Sequence, residues 1–237
     1  MTPPALVLLH SPLVGPRTVE PLADALRRHG RTVVVPRMHH VGFAGARQWS
    51  SWVRAATEQI GDAHADSVVL VGHSGAGPLL PILAERLRGP VAGLVFIDAG
   101  LPPPDGQMAV APRDLRNHLR TIAVDGVLPP WSEWWGSDAM GRLIPDAQDR
   151  VAVVAELPRV PLAFFDAIVT MPGGWDERCP VAYVRLSAAY DDDAERARAR
   201  GFPVCVFEGA HLDTVARADE LGTIIDRIVA ELVPPTK

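Results

Sequence analysis

Short apolar runs alternate with helical patterns along most of this chain, and that alternation restricts the fold more than any other feature. Ala5–Leu9 is an unbroken apolar run, as expected for a strand buried on both faces. Glu20–Arg28 follows with Leu22, Ala23 and Leu26 at helical spacing, and Gly30 supplies a stop. Residues 32–35, 68–71 and Val91–Ile97 read as further strands, and 49–60 and the segment ending at Arg86 as further helices. Strands separated by helices pair in parallel through right-handed crossovers. The 237 residues, 48% of them hydrophobic, suit one such unit.

The alternation stops after Ala99. Residues 101–106, LPPPDG, read as a loop. Residues 107–178 give helical fragments, such as 114–123 and 146–157, divided by prolines and without a convincing strand. Strand and helix patterns then resume at 181–186, 192–200, 204–207 and 215–232. The expected fold is α/β: a mostly parallel six-stranded sheet flanked by helices. A helical cap, 101–178, is inserted between the fourth and fifth strands of a core formed by 1–100 and 179–237.

Charge and composition exclude several function classes. Twenty-three basic against 28 acidic residues give a net charge of −5, which is not a nucleic-acid footprint. No apolar run reaches the ~18 residues of a membrane span. The first residues lack the basic start of a secretory signal, so the cytoplasm is expected. Cys179 and Cys205 are too few for a disulfide scaffold or a cysteine-rich metal site. The expected partner is a small-molecule substrate, with no metal and no cofactor; oligomeric state is left open.

Residues 68–77 carry the chemistry. They read VVLVGHSGAG: a buried strand, then a tight turn of small residues, then a helix. This is the context of a nucleophile elbow, with Ser74 presented at the carboxyl edge of the sheet. The Gly75 N–H faces a developing oxyanion from the helix start. Ala76 stands where the usual pattern has glycine. A serine hydroxyl needs a base. Of eight histidines, His211 lies in the loop between the last strand and the last helix, at the same sheet edge. His39 and His40 could rim a pocket, His10 brace loops, His73 pack away from the hydroxyl, and His118 sit solvated in the cap. The acid that orients His211 is expected after the strand at 181–186, where Tyr190 is followed by three aspartates. Asp191 is the first choice there; Asp98, ending the fourth strand, is its rival.

These residues resemble the α/β-hydrolase superfamily over nearly the whole chain. The segments LLHSPLVGP and VFIDAGLP are similar to its small methylesterase and hydroxynitrile-lyase branch. That family usually has His-Gly after the first strand counted here, and the next N–H completes the oxyanion hole. Here the chain reads His10-Ser11-Pro12-Leu13, and Pro12 has no N–H. The Leu13 N–H or the Ser11 hydroxyl is then the expected replacement. In the cap, Trp131, Trp134 and Trp135 fall at i, i+3 and i+4, one helical face that could wall an apolar substrate or fasten the cap. The leading expectation is a serine hydrolase cleaving an ester or thioester of a small apolar substrate. The alternatives are a lyase or cyclase on the same Ser-His-Asp frame, and a silent binding protein.

Overall fold

The computed structural model describes residues 3–38, 48–61, 67–136 and 138–234. In chain order its main elements begin with β1 (Ala5–Leu9), α1 (Glu20–Arg28), β2 (Val33–Val34), α2 (Gln48–Ile60), β3 (Val68–His73), α3 (Leu79–Arg86) and β4 (Val91–Ile97). The insertion holds β5 (Gly106–Ala109), α4 (Arg113–Ile122), α5 (Ala139–Leu143), α6 (Ala147–Val154) and β6 (Ile168–Met171). The chain closes with β7 (Val181–Arg185), α7 (Asp191–Ala199), β8 (Val204–Val206), α8 (Asp213–Ala216) and α9 (Ala218–Leu232).

Among the described residues, six parallel strands form one sheet in the order β2-β1-β3-β4-β7-β8. Side chains alternate across it, as the two-residue period of a strand requires. Leu6 and Leu8 of β1 pack with Leu22 and Leu26 of α1 and Ile225 of α9. Val7 and Leu9 pack with Trp52 of α2 and Leu79 and Leu83 of α3 on the opposite face. Both faces are therefore covered, which is why these strands read as continuous apolar runs.

Register decides where the site lies. Leu9 pairs with Gly72, His73 with Ile97, and Ile97 with Val184. The residues that follow β1, β3, β4 and β7 are thus brought to a single edge. The order also reverses there: β2 lies on one side of β1 and β3 on the other. A crevice opens outside the carboxyl ends at such a reversal.

The insertion departs from expectation. Its two ends pair as an antiparallel ribbon, Gly106 opposite Met171 and Ala109 opposite Ile168. Gly-Gln-Met-Ala carries no strand-favouring pattern; long-range pairing forms this strand. The Trp segment is a 3₁₀ turn, Trp131–Glu133, rather than a helix. Pro129 and Pro130 precede it, and Gly136, at φ 88°, ends the stretch. The closing helix is broken at Arg217, at φ −130°, into α8 and α9. The insertion settles on the core through Met140, Ile144 and Val153, which meet Leu212 and Val215.

Glycine is required where backbones touch. A Cβ on Gly77 would overlap the Gly100 carbonyl oxygen, so the turn before α3 lies directly against the exit from β4. Gly77→Ala should cost about 1–3 kcal/mol through overpacking, read as a lower urea midpoint at unchanged m-value. An unchanged midpoint would mean that this approach can relax freely.

Candidate active site

The turn after β3 places Ser74 at φ 59°, in the left-handed region that a side chain rarely adopts. Such strain costs about 1–3 kcal/mol and persists only where the surroundings impose it. Here the flanking residues must be small. A Cβ on Gly72 would sit 2.9 Å from the Leu80 side chain, and one on Gly75 would sit 2.8 Å from Ser11 Oγ. Ala76 is fully buried. The hydroxyl is thereby held out at the sheet edge.

His211 reaches it from the loop between β8 and α8. Its Nε2 lies 3.0 Å from Ser74 Oγ, and its Nδ1 lies 2.9 Å from Asp98 Oδ2. Asp98 follows β4 at φ 42° and is completely buried. Its carboxylate is well satisfied. Oδ1 accepts from the backbone N–H of Leu186 at 2.7 Å and of Ser187 at 3.0 Å. Oδ2 accepts from Ser187 Oγ at 2.6 Å as well as from His211. Burial pushes the Asp98 pKa up, but the hydrogen bonds from His211 and Ser187 outweigh it and hold the group below the usual carboxylate range.

Asp191, the first choice for the acid, does not reach His211 in this structure; its rival Asp98 is the carboxylate that bonds His211 Nδ1. Asp191 opens α7, where its side chain is 57% exposed and bonds Arg185 Nε at 2.6 Å. The segment expected to supply the acid supplies donors to it instead. Two residues on, Asp193 accepts from the Leu101 N–H at 2.6 Å and ties α7 to the start of the insertion.

The remaining expected residues separate. Leu13 N–H donates to Ser11 Oγ at 3.2 Å. Ser11 is buried beside Gly75. With its oxygen accepting from Leu13, the Ser11 hydroxyl keeps its own proton to donate. Trp131 faces the site, its ring 6.3 Å from that of His211. Trp134 is buried and meets Phe165 edge-on at 5.7 Å. Trp135 is half exposed and stacks on His118 at 5.0 Å. Trp134 and Trp135 meet edge-on at 6.5 Å, and the 3₁₀ turn leaves Trp131 alone of the three against His211.

His10 is buried; its Nδ1 donates to the Ser11 carbonyl at 2.9 Å, and its Nε2 accepts from the Met38 N–H at 3.2 Å, so it braces two loops. His39 and His40 lie outside the described residues. His73 turns from the hydroxyl, and its Nε2 donates to the His211 carbonyl at 2.8 Å. Sequence reasoning missed Tyr190, which was seen only as the start of an aspartate run. Its Oη lies 3.3 Å from Ser74 Oγ, and its ring stacks on His211 at 5.2 Å and 8°. The space at Ser74 is nearly closed, about 10 Å³, lined by Ser11, Leu13, Val14, Trp131, His211 and Leu212 beside the elbow.

The Alpha/beta hydrolase family profile matches residues 6–221. The chain belongs to the alpha/beta hydrolase family. It is 31% identical over 128 residues to a carbendazim hydrolyzing esterase from Nocardioides sp. (strain SG-4G). That match covers 51% of this chain and 52% of the relative, so the chain aligns with about half of that protein's length. The fold is similar to that of an extracellular alpha/beta-hydrolase from a Paenibacillus species, described as sharing structural and functional homology with tobacco salicylic acid binding protein 2. The TM-score is 0.72 at 16% identity, over 98% of this chain and 100% of that one. A pyrethroid hydrolase gives a TM-score of 0.70 at 18% identity, over 98% of this chain and 100% of that one. No helix among the described residues is long and apolar enough to cross a membrane.

His73 generates a pH prediction. Burial first, and the neighbouring His211 second, lower its pKa from 6.5 to about 3. The unfolded chain takes up this proton near pH 6.5, while the folded chain refuses it until about pH 3. Stability must then fall as pH drops through that window, by up to about 1.4 kcal/mol per pH unit. His73→Gln, which keeps a donor for the His211 carbonyl, should flatten that slope in urea unfolding. Parallel slopes for the two proteins would refute it.

Proposed function

We propose that this protein hydrolyses a carboxylic ester or thioester of a small apolar substrate through an acyl-Ser74 intermediate. The carrying observation is the unbroken chain from Ser74 Oγ through His211 to Asp98, at 3.0 and 2.9 Å. Because the Asp98 carboxylate accepts only, Nδ1 of His211 carries the ring proton and Nε2 offers a lone pair. His211 takes the Ser74 proton as Oγ bonds the acyl carbon, then gives it to the departing alcohol or thiol. Water repeats the sequence and releases the acid. Asp98 steadies the imidazolium between the steps. The Gly75 N–H and the Ser11 hydroxyl hold the oxyanion. The names of the esterase relative and the pyrethroid hydrolase support the reaction class. The chemistry needs no cofactor.

A second reading has one observation behind it. Pro12 removes a backbone donor, and the Leu13 N–H is turned to Ser11. A lyase or cyclase using Ser74 and His211 only to move protons would tolerate that weaker oxyanion site. Acyl-Ser74 accumulating on a turned-over substrate excludes this reading.

Exposure to a fluorophosphonate should give one adduct by intact mass on the wild type and none on Ser74→Ala. Asp98→Asn should slow that labelling about 10³–10⁴-fold through the wrong His211 tautomer, whereas Asp191→Asn should stay near wild type. Equal losses for both asparagine variants would return the acid role to an open choice. Ser11→Ala should lower turnover of p-nitrophenyl acetate about 10²–10³-fold without lowering thermal stability comparably. Full activity in that variant would remove Ser11 from the oxyanion site.

A further inference from the structure

We propose that Tyr190 is a fourth working group of this site: its hydroxyl donates to Ser74 Oγ and assists departure of that oxygen from the acyl-enzyme, while its ring fixes the plane of His211. The inference rests on the acyl-Ser74 reading above and goes beyond the serine, histidine and aspartate that reading requires.

The direction of each hydrogen bond follows from its neighbours. Asp98 can only accept, so His211 Nδ1–H donates to it and Nε2 is left as an acceptor. Ser74 then donates its proton to Nε2. The Ser74 oxygen retains lone pairs, and Tyr190 Oη, 3.3 Å away, can serve them only as a donor. The phenol keeps its proton for this purpose, because burial pushes its pKa up to about 12. The ring is fixed independently of the hydroxyl, lying almost parallel to the imidazole at 8°. On its other contacts His211 meets the His73 ring at 4.6 Å and hands its carbonyl to His73 Nε2. The imidazole is thus clasped by two rings and tethered at its backbone.

The donor matters most when the acyl group leaves. In deacylation, water loses a proton to His211 Nε2 as its oxygen bonds the acyl carbon. The tetrahedral intermediate then breaks the C–Oγ bond, and the electron pair goes to Oγ. The proton on His211 follows to Oγ and restores the serine. Negative charge passes through Oγ during that cleavage, and a hydrogen bond to a developing charge is worth more than one to a neutral ester oxygen. Tyr190 keeps its own proton throughout, so no further reactant is needed.

The test separates the two steps. Each protein is acetylated by brief exposure to p-nitrophenyl acetate and desalted, and loss of the acetyl group is followed by intact mass. Fluorophosphonate labelling is measured in parallel. Tyr190→Phe keeps the ring and should label within about threefold of wild type, yet lose its acetyl group about tenfold more slowly, the scale of one such hydrogen bond. Tyr190→Leu, confirmed as folded by its thermal transition, should also label at least about tenfold more slowly, because His211 is no longer held. Equal acetyl loss in Tyr190→Phe and wild type overturns the proposal. So does an equal slowing of labelling and acetyl loss, which would mean that the hydroxyl only seats Ser74. A wild type that takes neither acetyl nor fluorophosphonate at Ser74 overturns the acyl-enzyme reading itself, and this inference with it.

Discussion

An ionised carboxylate with no solvent exposure governs the architecture of this site. Burying such a charge unpaired would cost many kcal/mol, so the surroundings must supply donors. Asp98 receives them from Leu186 N–H, Ser187 N–H, Ser187 Oγ and His211 Nδ1. These groups come from the end of β7 and from the loop after β8, while Asp98 itself ends β4. One side chain therefore clamps three neighbouring segments at the carboxyl edge. It also fixes the His211 tautomer, and through it the direction of the Ser74 hydroxyl. The hydrogen-bond chain that ends at Ser74 thus begins two strands away.

The same clamp explains which parts of the site were readable from the sequence. Ser74 and His211 carry local signals: an apolar strand broken by small residues, and a histidine in a strand–helix loop. Asp98 and Asp191 carry equivalent local signals, both lying beyond strand ends. Chain order favoured Asp191. Burial and donor supply decide between them, and two of the four donors are backbone N–H groups, of Leu186 and Ser187, which every sequence possesses. Arg185 completes the separation by holding Asp191 at the surface.

Other departures have physical causes of the same kind. The parallel core was legible because its strands are buried on both faces and announce themselves as apolar runs. The ribbon of β5 and β6 was not, since Gly106 and Met171 meet only after the insertion has closed on itself. The tryptophan face failed on a signal that was present. Pro129, Pro130 and Gly136 bracket a stretch too short for a stable helix, and the i, i+3, i+4 reading presumed one. Tyr190 carried no motif at all. Its place beside His211 comes from a turn that lays a phenol over an imidazole.

The space at Ser74 is closed by the insertion and the core together, Trp131 from the first and Leu13, Val14 and Leu212 from the second. About 10 Å³ is the room of a single water, so no ester fits while Trp131 and Leu212 stay where they are. Leu212 is the neighbour of His211, and it belongs to the same apolar cluster as Met140, Ile144 and Val153 of the insertion. The insertion is also held by the larger cluster on that face of the sheet, where Phe164 meets Trp49 and Trp52 and Trp175 meets Phe96. Parting the Met140, Ile144 and Val153 contacts alone exposes less apolar surface than lifting the whole insertion. On the reading proposed above, an apolar substrate would replace the contacts that Trp131 and Leu212 give up, whereas a polar one would leave them unmet.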